Sequence, residues 1–169
     1  MADKVFVDTN VLIYFISAEA DKKIKAKEAI FSSQDVYISS QVISEFISVC
    51  FSKELLGLEE IITLVNDLIE ALRFSSVEES TIKKALQIKK DSKYSYWDSL
   101  IIASALENNC SILYTEDMQD GQVIDSNLTI TNPFKAWLSV QIYLIMINLV
   151  NGVCILKNNW EQQFGNKYH

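Results

Sequence analysis

Short apolar runs alternate with helical segments along this chain, and that alternation limits the possible folds more than any other feature. The runs Val5–Val7, Val36–Ile38 and Ser111–Tyr114 have the composition of strands buried on both faces. Segments with helical periodicity or composition lie between them. Such alternation predicts an α/β fold in which a parallel sheet is covered by helices on both faces.

The remaining elements follow from the same patterns. Helices are predicted at Lys22–Phe31, Gln41–Lys53, Leu58–Leu72, Ser80–Lys90 and from Ser95 onward, with short strands at Phe74–Val77, Val123–Ile124 and Leu128–Ile130. With 169 residues and 49% hydrophobic content, the chain is long enough for a single domain with its own core.

Composition removes several classes of enzyme. The only histidine is His169, which argues against histidine acid–base chemistry and Ser-His-Asp triads. Four glycines do not make a P-loop or a dinucleotide-binding loop. Three cysteines, far apart in apolar stretches, predict reduced core thiols in a cytoplasmic protein without a secretory signal. Any catalysis must therefore rely on carboxylates, hydroxyls, lysines or a metal.

Four acidic residues are placed where they could share one edge of the sheet. Asp8 and Asp117 follow predicted strands, whereas Glu45 and Asp98 occupy the first turns of predicted helices. Each has an ordinary alternative: Asp8 and Asp98 suit helix caps, Glu45 suits an exposed position, and Asp117 suits a turn. Asp98 also shares a helix face with apolar residues, which favours a functional role.

A net charge of −7 does not attract a nucleic acid through the overall field. Clustered carboxylates would, however, favour a hard divalent ion such as Mg²⁺, with Mn²⁺ as a plausible substitute. Such an ion can bridge the carboxylates to a phosphate and activate water for phosphodiester hydrolysis.

Four segments together resemble the PIN domain superfamily, and within it the VapC-like toxins of type II toxin–antitoxin pairs. They are VFVDTNVLIYF from residue 5, SEF from residue 44, WDSLIIASA from residue 97 and LYTEDMQDGQ from residue 113. The resemblance implies a Rossmann-like PIN domain over residues 1–135. It also implies a Mg²⁺-dependent endoribonuclease acting on RNA, a cognate antitoxin protein and a homodimer.

The resemblance implies that Asp8, Glu45, Asp98 and Asp117 are both the catalytic and the metal-binding residues. Thr9, Asn10, Thr115 and Glu116 are the predicted supporting residues, and whether Glu116 shares the role of Asp117 stays open. Our hypothesis from the sequence is that Asp8 and Asp98 hold the principal metal, while Glu45 and Asp117 complete the cage and orient the attacking water. The alternative is a non-catalytic PIN-like binding module, or a membrane-tethered domain, whose acids are structural caps.

The last part of the chain departs from the resemblance. Residues 136–169 form an atypical apolar extension, and residues 137–156 contain no charge. Twenty helical residues reach about 30 Å, which is enough to cross a bilayer core. The polar residues of the stretch 137–156 argue against a membrane-spanning helix. We therefore expect a packed helix or an altered terminus in a cytoplasmic protein, with a membrane anchor as the less favoured interpretation.

Overall fold

The computed structural model describes residues 3–31 and 33–135. Within them, six strands form one sheet that is flanked by helices. The strands are β1 (Val5–Val7), β2 (Val36–Ser39), β3 (Arg73–Ser75), β4 (Ile112–Tyr114), β5 (Val123–Ile124) and β6 (Leu128–Thr131). The helices are α1 (Thr9–Phe15), α2 (Ala20–Ile30), α3 (Ser40–Ser52), α4 (Leu58–Ala71), α5 (Glu79–Asp91) and α6 (Tyr96–Glu107). The predicted α/β architecture is confirmed, with element ends that shift by one or two residues.

The sheet is parallel except at one edge. Its strand order is β3-β2-β1-β4-β6-β5, and the pairs from β3 through β6 are parallel. β5 pairs with β6 in the antiparallel direction, which departs from the fully parallel prediction. The connection between them is only three residues long and includes Asp125 and Ser126 with positive φ angles of 51° and 60°. So short a connection makes a hairpin, since a parallel pair needs a long crossover.

The strand order creates a switch point between β1 and β4. Right-handed crossovers place the helices that follow β1 and β2 on one face of the sheet, and the helices between β3 and β4 on the other. After β1 the chain turns toward β2, whereas after β4 it turns toward β6 and β5 on the other side. The two connections therefore diverge at the carboxyl ends of β1 and β4. Open α/β sheets bind their ligands in the crevice formed at such a point.

Helix α6 fills the second face of the sheet because nearly all of its surface is apolar or small. Seven consecutive residues, from Ser99 to Ala105, are buried. Leu100 and Ala103 pack against Ala85 of α5 in a compact cluster. Lys4, which precedes β1, donates to the carbonyl of Asn108 after α6, at 3.5 Å. This contact holds the end of α6 at the amino edge of the sheet, so its first turn points to the carboxyl edge.

The predictions about the cysteines and the apolar stretch can be compared with the structure only where the residues are described. Cys50 and Cys110 are buried thiols, and burial raises their pKa values to about 11 and about 12. Cys154 and the apolar stretch 137–156 lie outside the described residues, so the boundary at residue 135 stays a prediction. Among residues 3–31 and 33–135, no helix is long and apolar enough to cross a membrane.

Two phenylalanines of α3 test which face of the helix stabilises the fold. Phe46 is completely buried, whereas Phe51 is 52% exposed. We expect Phe46→Ala to lower the free energy of unfolding by about 3–5 kcal/mol, because it removes buried apolar surface and leaves a cavity. Phe51→Ala should change it by about 0.5 kcal/mol or less. Urea unfolding followed by circular dichroism measures both, and equal losses would contradict the burial seen here.

Candidate active site

Asp8 lies at the switch point, buried directly after the central strand β1. Its backbone nitrogen donates to the carbonyl of Tyr114 in β4 at 3.0 Å, and its side chain caps α1. The Oδ1 atom accepts from the backbone nitrogen of Thr9 at 2.6 Å. Only 5% of Asp8 is exposed. The cap predicted from the sequence is therefore present, and it places a buried carboxylate where ligands bind in such folds.

Asn10 and Thr115 join Asp8 to Asp117. Thr115 Oγ1 donates to Asp8 Oδ2 at 2.7 Å and accepts from the backbone nitrogen of Asp117 at 3.2 Å. Asn10 Nδ2 lies 3.2 Å from Asp8 Oδ2 and 3.1 Å from Asp117 Oδ2. It also lies 3.2 Å from Thr115 Oγ1. Residues more than a hundred positions apart thus share one hydrogen-bond network.

The environment of Asp8 favours the protonated carboxyl group. Burial raises its pKa from 3.8 to about 6, and the negative charges of Asp117 and Glu45 act in the same direction. The hydrogen bonds from Thr115 and the backbone of Thr9 oppose this rise because they stabilise the carboxylate. An ionised Asp8 therefore lacks a compensating positive charge. A bound cation would supply that charge.

Glu45 reaches the same cluster from α3. Its Oε2 atom accepts from Thr9 Oγ1 at 2.9 Å, and its Oε1 atom accepts from Gln41 Nε2 at 2.9 Å. The polar stripe predicted along α3 lines a groove of about 470 Å³ next to this acid, with Gln41, Ser44, Glu45 and Ser48 among its lining residues. Sequence reasoning had Gln41 only as a member of the stripe, whereas here it holds Glu45 directly.

Asp98 is placed by the first turn of α6 and serves as a helix cap. Its Oδ2 atom accepts from the backbone nitrogen of Ser95 at 3.1 Å, and its own nitrogen donates to Ser95 Oγ at 3.0 Å. This is the predicted capping box, and Asp98 is half-buried. The neighbouring carbonyl of Trp97 accepts from Gln41 Nε2 at 3.2 Å. A path of hydrogen bonds through Gln41 and Glu45 therefore connects the start of α6 with the acids at β1.

Glu116 and Asp117 are neighbours in the chain, but their side chains contact different residues. Tyr14 Oη donates to Glu116 Oε1 at 2.5 Å, and Lys22 forms a 3.4 Å ion pair with Glu116 Oε2. Lys22 also donates to Tyr14 Oη and lies 3.8 Å from the centre of its ring. Burial, together with the bond to Glu116, raises the pKa of Tyr14, so its hydroxyl stays a donor. Neither Tyr14 nor Lys22 was among the residues assigned to the site from sequence, since their spacing gives no signal for it.

The donor atoms of this site suit a hard cation that keeps some of its water. Among the described residues, no group of three or more His, Cys, Asp or Glu side chains is arranged to hold a metal ion. Mg²⁺ does not need such a cage, because it is commonly bound by one or two carboxylates and completed by waters and phosphate oxygens. Asp8 and Asp117 provide two carboxylates linked by Asn10, and the buried Oδ1 atom of Asn10 has no hydrogen-bond partner within residues 3–31 and 33–135. These residues fit Mg²⁺ or Mn²⁺ in kind.

Comparison with known proteins identifies the family and the fold of the chain. The PIN domain family model matches residues 5–119. The fold resembles that of a toxin–antitoxin complex from Klebsiella pneumoniae, with a TM-score of 0.61 and 16% identity over 79% of this chain and 100% of that chain. VapC20 from Mycobacterium tuberculosis, a sarcin–ricin loop cleaving toxin, gives a TM-score of 0.55 and 18% identity, with 68% of this chain and 92% of that chain covered.

VapBC2 from Rickettsia felis, solved with a DNA fragment from its promoter, gives a TM-score of 0.55 and 16% identity. That match covers 76% of this chain and 98% of the other. No curated protein sequence matches the chain. At these identities the structural matches establish only the fold, whereas the match to the family model establishes the family of the sequence.

The titration of Asp8 leads to a pH-dependent stability. Between pH 3.8 and about 6 the folded protein keeps the proton on Asp8 while the unfolded chain loses it. The free energy of unfolding therefore falls as the pH rises through this window. Two pKa units correspond to about 3 kcal/mol. Because Asn does not titrate, we expect the stability of Asp8→Asn relative to the wild type to rise by about this amount from about pH 4 to about pH 7.

Urea unfolding in EDTA at a series of pH values measures this difference. Glu70→Gln, which changes an exposed acid on α4, is the matched control and should show no comparable change relative to the wild type. A difference between Asp8→Asn and the wild type that stays constant with pH would show that the pKa of Asp8 is not raised.

Proposed function

Because the chain belongs to the PIN domain family, we propose that it is a divalent-metal-dependent endoribonuclease and the toxin of a toxin–antitoxin pair. The observation that carries the proposal is the buried carboxylate of Asp8, linked through Asn10 and Thr115 to Asp117 at the switch point of the sheet. A cation bound to these carboxylates would neutralise their charge and would also attract a phosphate group. An RNA substrate could then bind this site although the net charge of the protein is negative.

The residues would divide the work as follows. Asp8 and Asp117 would hold the cation, in place of the pair Asp8 and Asp98 expected from the sequence, because Asn10 links Asp8 to Asp117 whereas Asp98 is engaged in its capping box. When bound, Mg²⁺ or Mn²⁺ would neutralise the carboxylates, bridge to a phosphate oxygen and lower the pKa of a water molecule. Glu45, held by Thr9 and Gln41, would orient the attacking water. Asp98 would complete the acidic set from the first turn of α6.

Water as nucleophile determines the products. Attack on phosphorus with departure of the 3′-oxygen leaves a 5′-phosphate and a 3′-hydroxyl, and the 2′-hydroxyl takes no part. The choice of RNA over DNA rests on the likeness to VapC20, which is described as a toxin that cleaves the sarcin–ricin loop. Cellular RNA as substrate, together with the buried thiols of Cys50 and Cys110, favours a cytoplasmic location.

A protein antitoxin is the proposed partner. Several structural relatives, from Klebsiella pneumoniae and Rickettsia felis among others, are toxin–antitoxin complexes. A homodimer stays a prediction from the family resemblance.

Production of this chain alone should stop growth, and Asp8→Asn should not. Growth arrest by Asp8→Asn at equal protein level would contradict a toxicity that depends on cleavage.

A second candidate function is a non-catalytic PIN-like module, and one observation favours it. Asp98 makes a complete capping box with Ser95, which accounts for the acid without any metal. Titration with Mg²⁺ separates the two candidates, because a ligand that binds only the folded state raises its stability. A concentration-dependent increase of the melting temperature, absent in Asp8→Asn, would support the nuclease. An unchanged melting temperature would support the module.

Removal of single carboxylates tests the catalytic assignment. We expect Asp8→Asn and Asp98→Asn each to lower the rate of RNA cleavage by roughly 100-fold or more, since both remove negative charge that would hold the cation, and the cation would stabilise the reacting phosphate. EDTA should have the same effect. Glu70→Gln, on the outer face of α4, should cleave like the wild type. The assay uses bulk cellular RNA with mapping of both new ends, and retained cleavage by Asp98→Asn would remove Asp98 from the site.

The two neighbouring acids at the end of β4 should behave differently. Asp117 contacts Asn10, whereas Glu116 is engaged by Tyr14 and Lys22. We expect Asp117→Asn to lose cleavage and Glu116→Gln to keep it within about 3-fold, because a Gln side chain still accepts from Tyr14 and surface ion pairs contribute little. Equal losses in both variants would show that Glu116 shares the role of Asp117.

A further inference from the structure

Gln41, which lines the groove beside Glu45, carries a buried acceptor atom without a partner in the described part of the chain. Gln41 is only 8% exposed, and its Oε1 atom has no hydrogen-bond partner among the described residues. The orientation of the amide is fixed, because its Nε2 atom donates both to Glu45 and to the carbonyl of Trp97. A buried acceptor without a hydrogen-bond partner destabilises the folded protein because its desolvation is not compensated. A ligand with an N–H donor would remove this cost.

The same groove has an exposed aromatic side chain in its lining. Trp97 lines the groove and is 60% exposed. Gln41 holds the backbone carbonyl of Trp97, and the ring of Tyr96 meets the indole edge-on with 5.3 Å between centroids. Tyr96 in turn packs against the buried cluster around Leu100. A rigid, accessible aromatic face is what stacking of a nucleobase requires.

The charge of the lining decides which part of a nucleotide fits. Serine hydroxyls, the amide of Gln41, the carboxylate of Glu45 and the indole of Trp97 line the groove, together with apolar side chains. Among these described residues there is no Lys or Arg, and Glu45 would repel an anion. Phosphate groups are recognised by cations and N–H donors. The groove therefore suits a neutral, planar base with N–H groups on its edge.

We propose that this groove binds an unpaired nucleobase of the RNA, stacked on Trp97 and hydrogen-bonded to Gln41 Oε1. The inference rests on the proposed function, since Glu45 belongs both to the groove and to the acidic cluster that would bind the neighbouring phosphate. A base inside a duplex is stacked on both sides and its pairing edge is occupied. The groove thus selects single-stranded segments, loops or ends over double-stranded RNA.

Trp97 supplies its own spectroscopic probe. The binding test uses Asp8→Asn protein in Mg²⁺, where the acidic site has lost one charge and RNA stays intact. An unstructured RNA oligonucleotide should quench the fluorescence of this protein, and the same strand in a perfect duplex should not. The quenching should be absent when Trp97→Phe is added. That comparison separates Trp97 from the other two tryptophans of the chain.

Affinity gives the second readout. We expect Trp97→Ala to raise the dissociation constant of the single-stranded oligonucleotide by roughly 5- to 150-fold, the range found when one stacked base loses its aromatic partner. Trp97→Phe should recover part of the loss. Phe51→Ala is the matched control. It removes another exposed aromatic side chain, from the helix α3 whose polar residues line the groove, and should leave the dissociation constant unchanged. Thermal melting of each variant checks that the fold is kept.

The outcomes separate this inference from the nuclease proposal. If wild-type protein cleaves RNA but Trp97→Ala binds single strands as tightly as Asp8→Asn alone, or duplex quenches equally, the groove does not bind a base and the nuclease stands. If quenching depends on Trp97 but no variant cleaves, the base site stands and the nuclease proposal fails. Absence of any binding by either RNA overturns the base site. In a protein that cleaves, Trp97→Ala should raise KM and leave kcat nearly unchanged.

Discussion

The buried carboxylate of Asp8 is the constraint on which the rest of the site depends. The central strand of the sheet ends at this residue, and desolvation there opposes its ionisation. The protein compensates with three hydrogen bonds, from the backbone of Thr9 and from the side chains of Asn10 and Thr115. These bonds hold the carboxylate in place but do not neutralise it. A position that is costly to ionise without a cation is well suited to binding one.

Asn10 shows how one neutral side chain organises several charged ones. Its amide nitrogen faces Asp8, Thr115 and Asp117, so two acids that would repel one another share a donor. Since the nitrogen is committed to these acceptors, the oxygen must face the other way, and none of the described residues binds it. Gln41 repeats the arrangement at Glu45. Each amide thus fixes a carboxylate through its nitrogen and leaves its own buried oxygen without a partner in the described part of the chain.

The two halves of the proposed activity come from opposite faces of the sheet. The acids Asp8 and Glu45 are carried by elements around β1 and by α3, whereas Trp97 begins α6, which lies across the sheet. Gln41 links them through its bonds to Glu45 and to the carbonyl of Trp97. The proposed chemistry on the phosphate and the proposed recognition of a base would therefore be linked through one buried side chain, Gln41.

The sequence by itself determined the alternation of strands and helices, the capping roles of Asp8 and Asp98, and the polar stripe on α3, because each depends on neighbours within a few residues. It also carried the family resemblance that singled out Asp8, Glu45, Asp98 and Asp117. Only the tertiary structure decided that Glu116 turns to Tyr14 and Lys22, and that Gln41 joins α3 to α6. Those outcomes depend on contacts between segments far apart in the chain, which local periodicity does not encode.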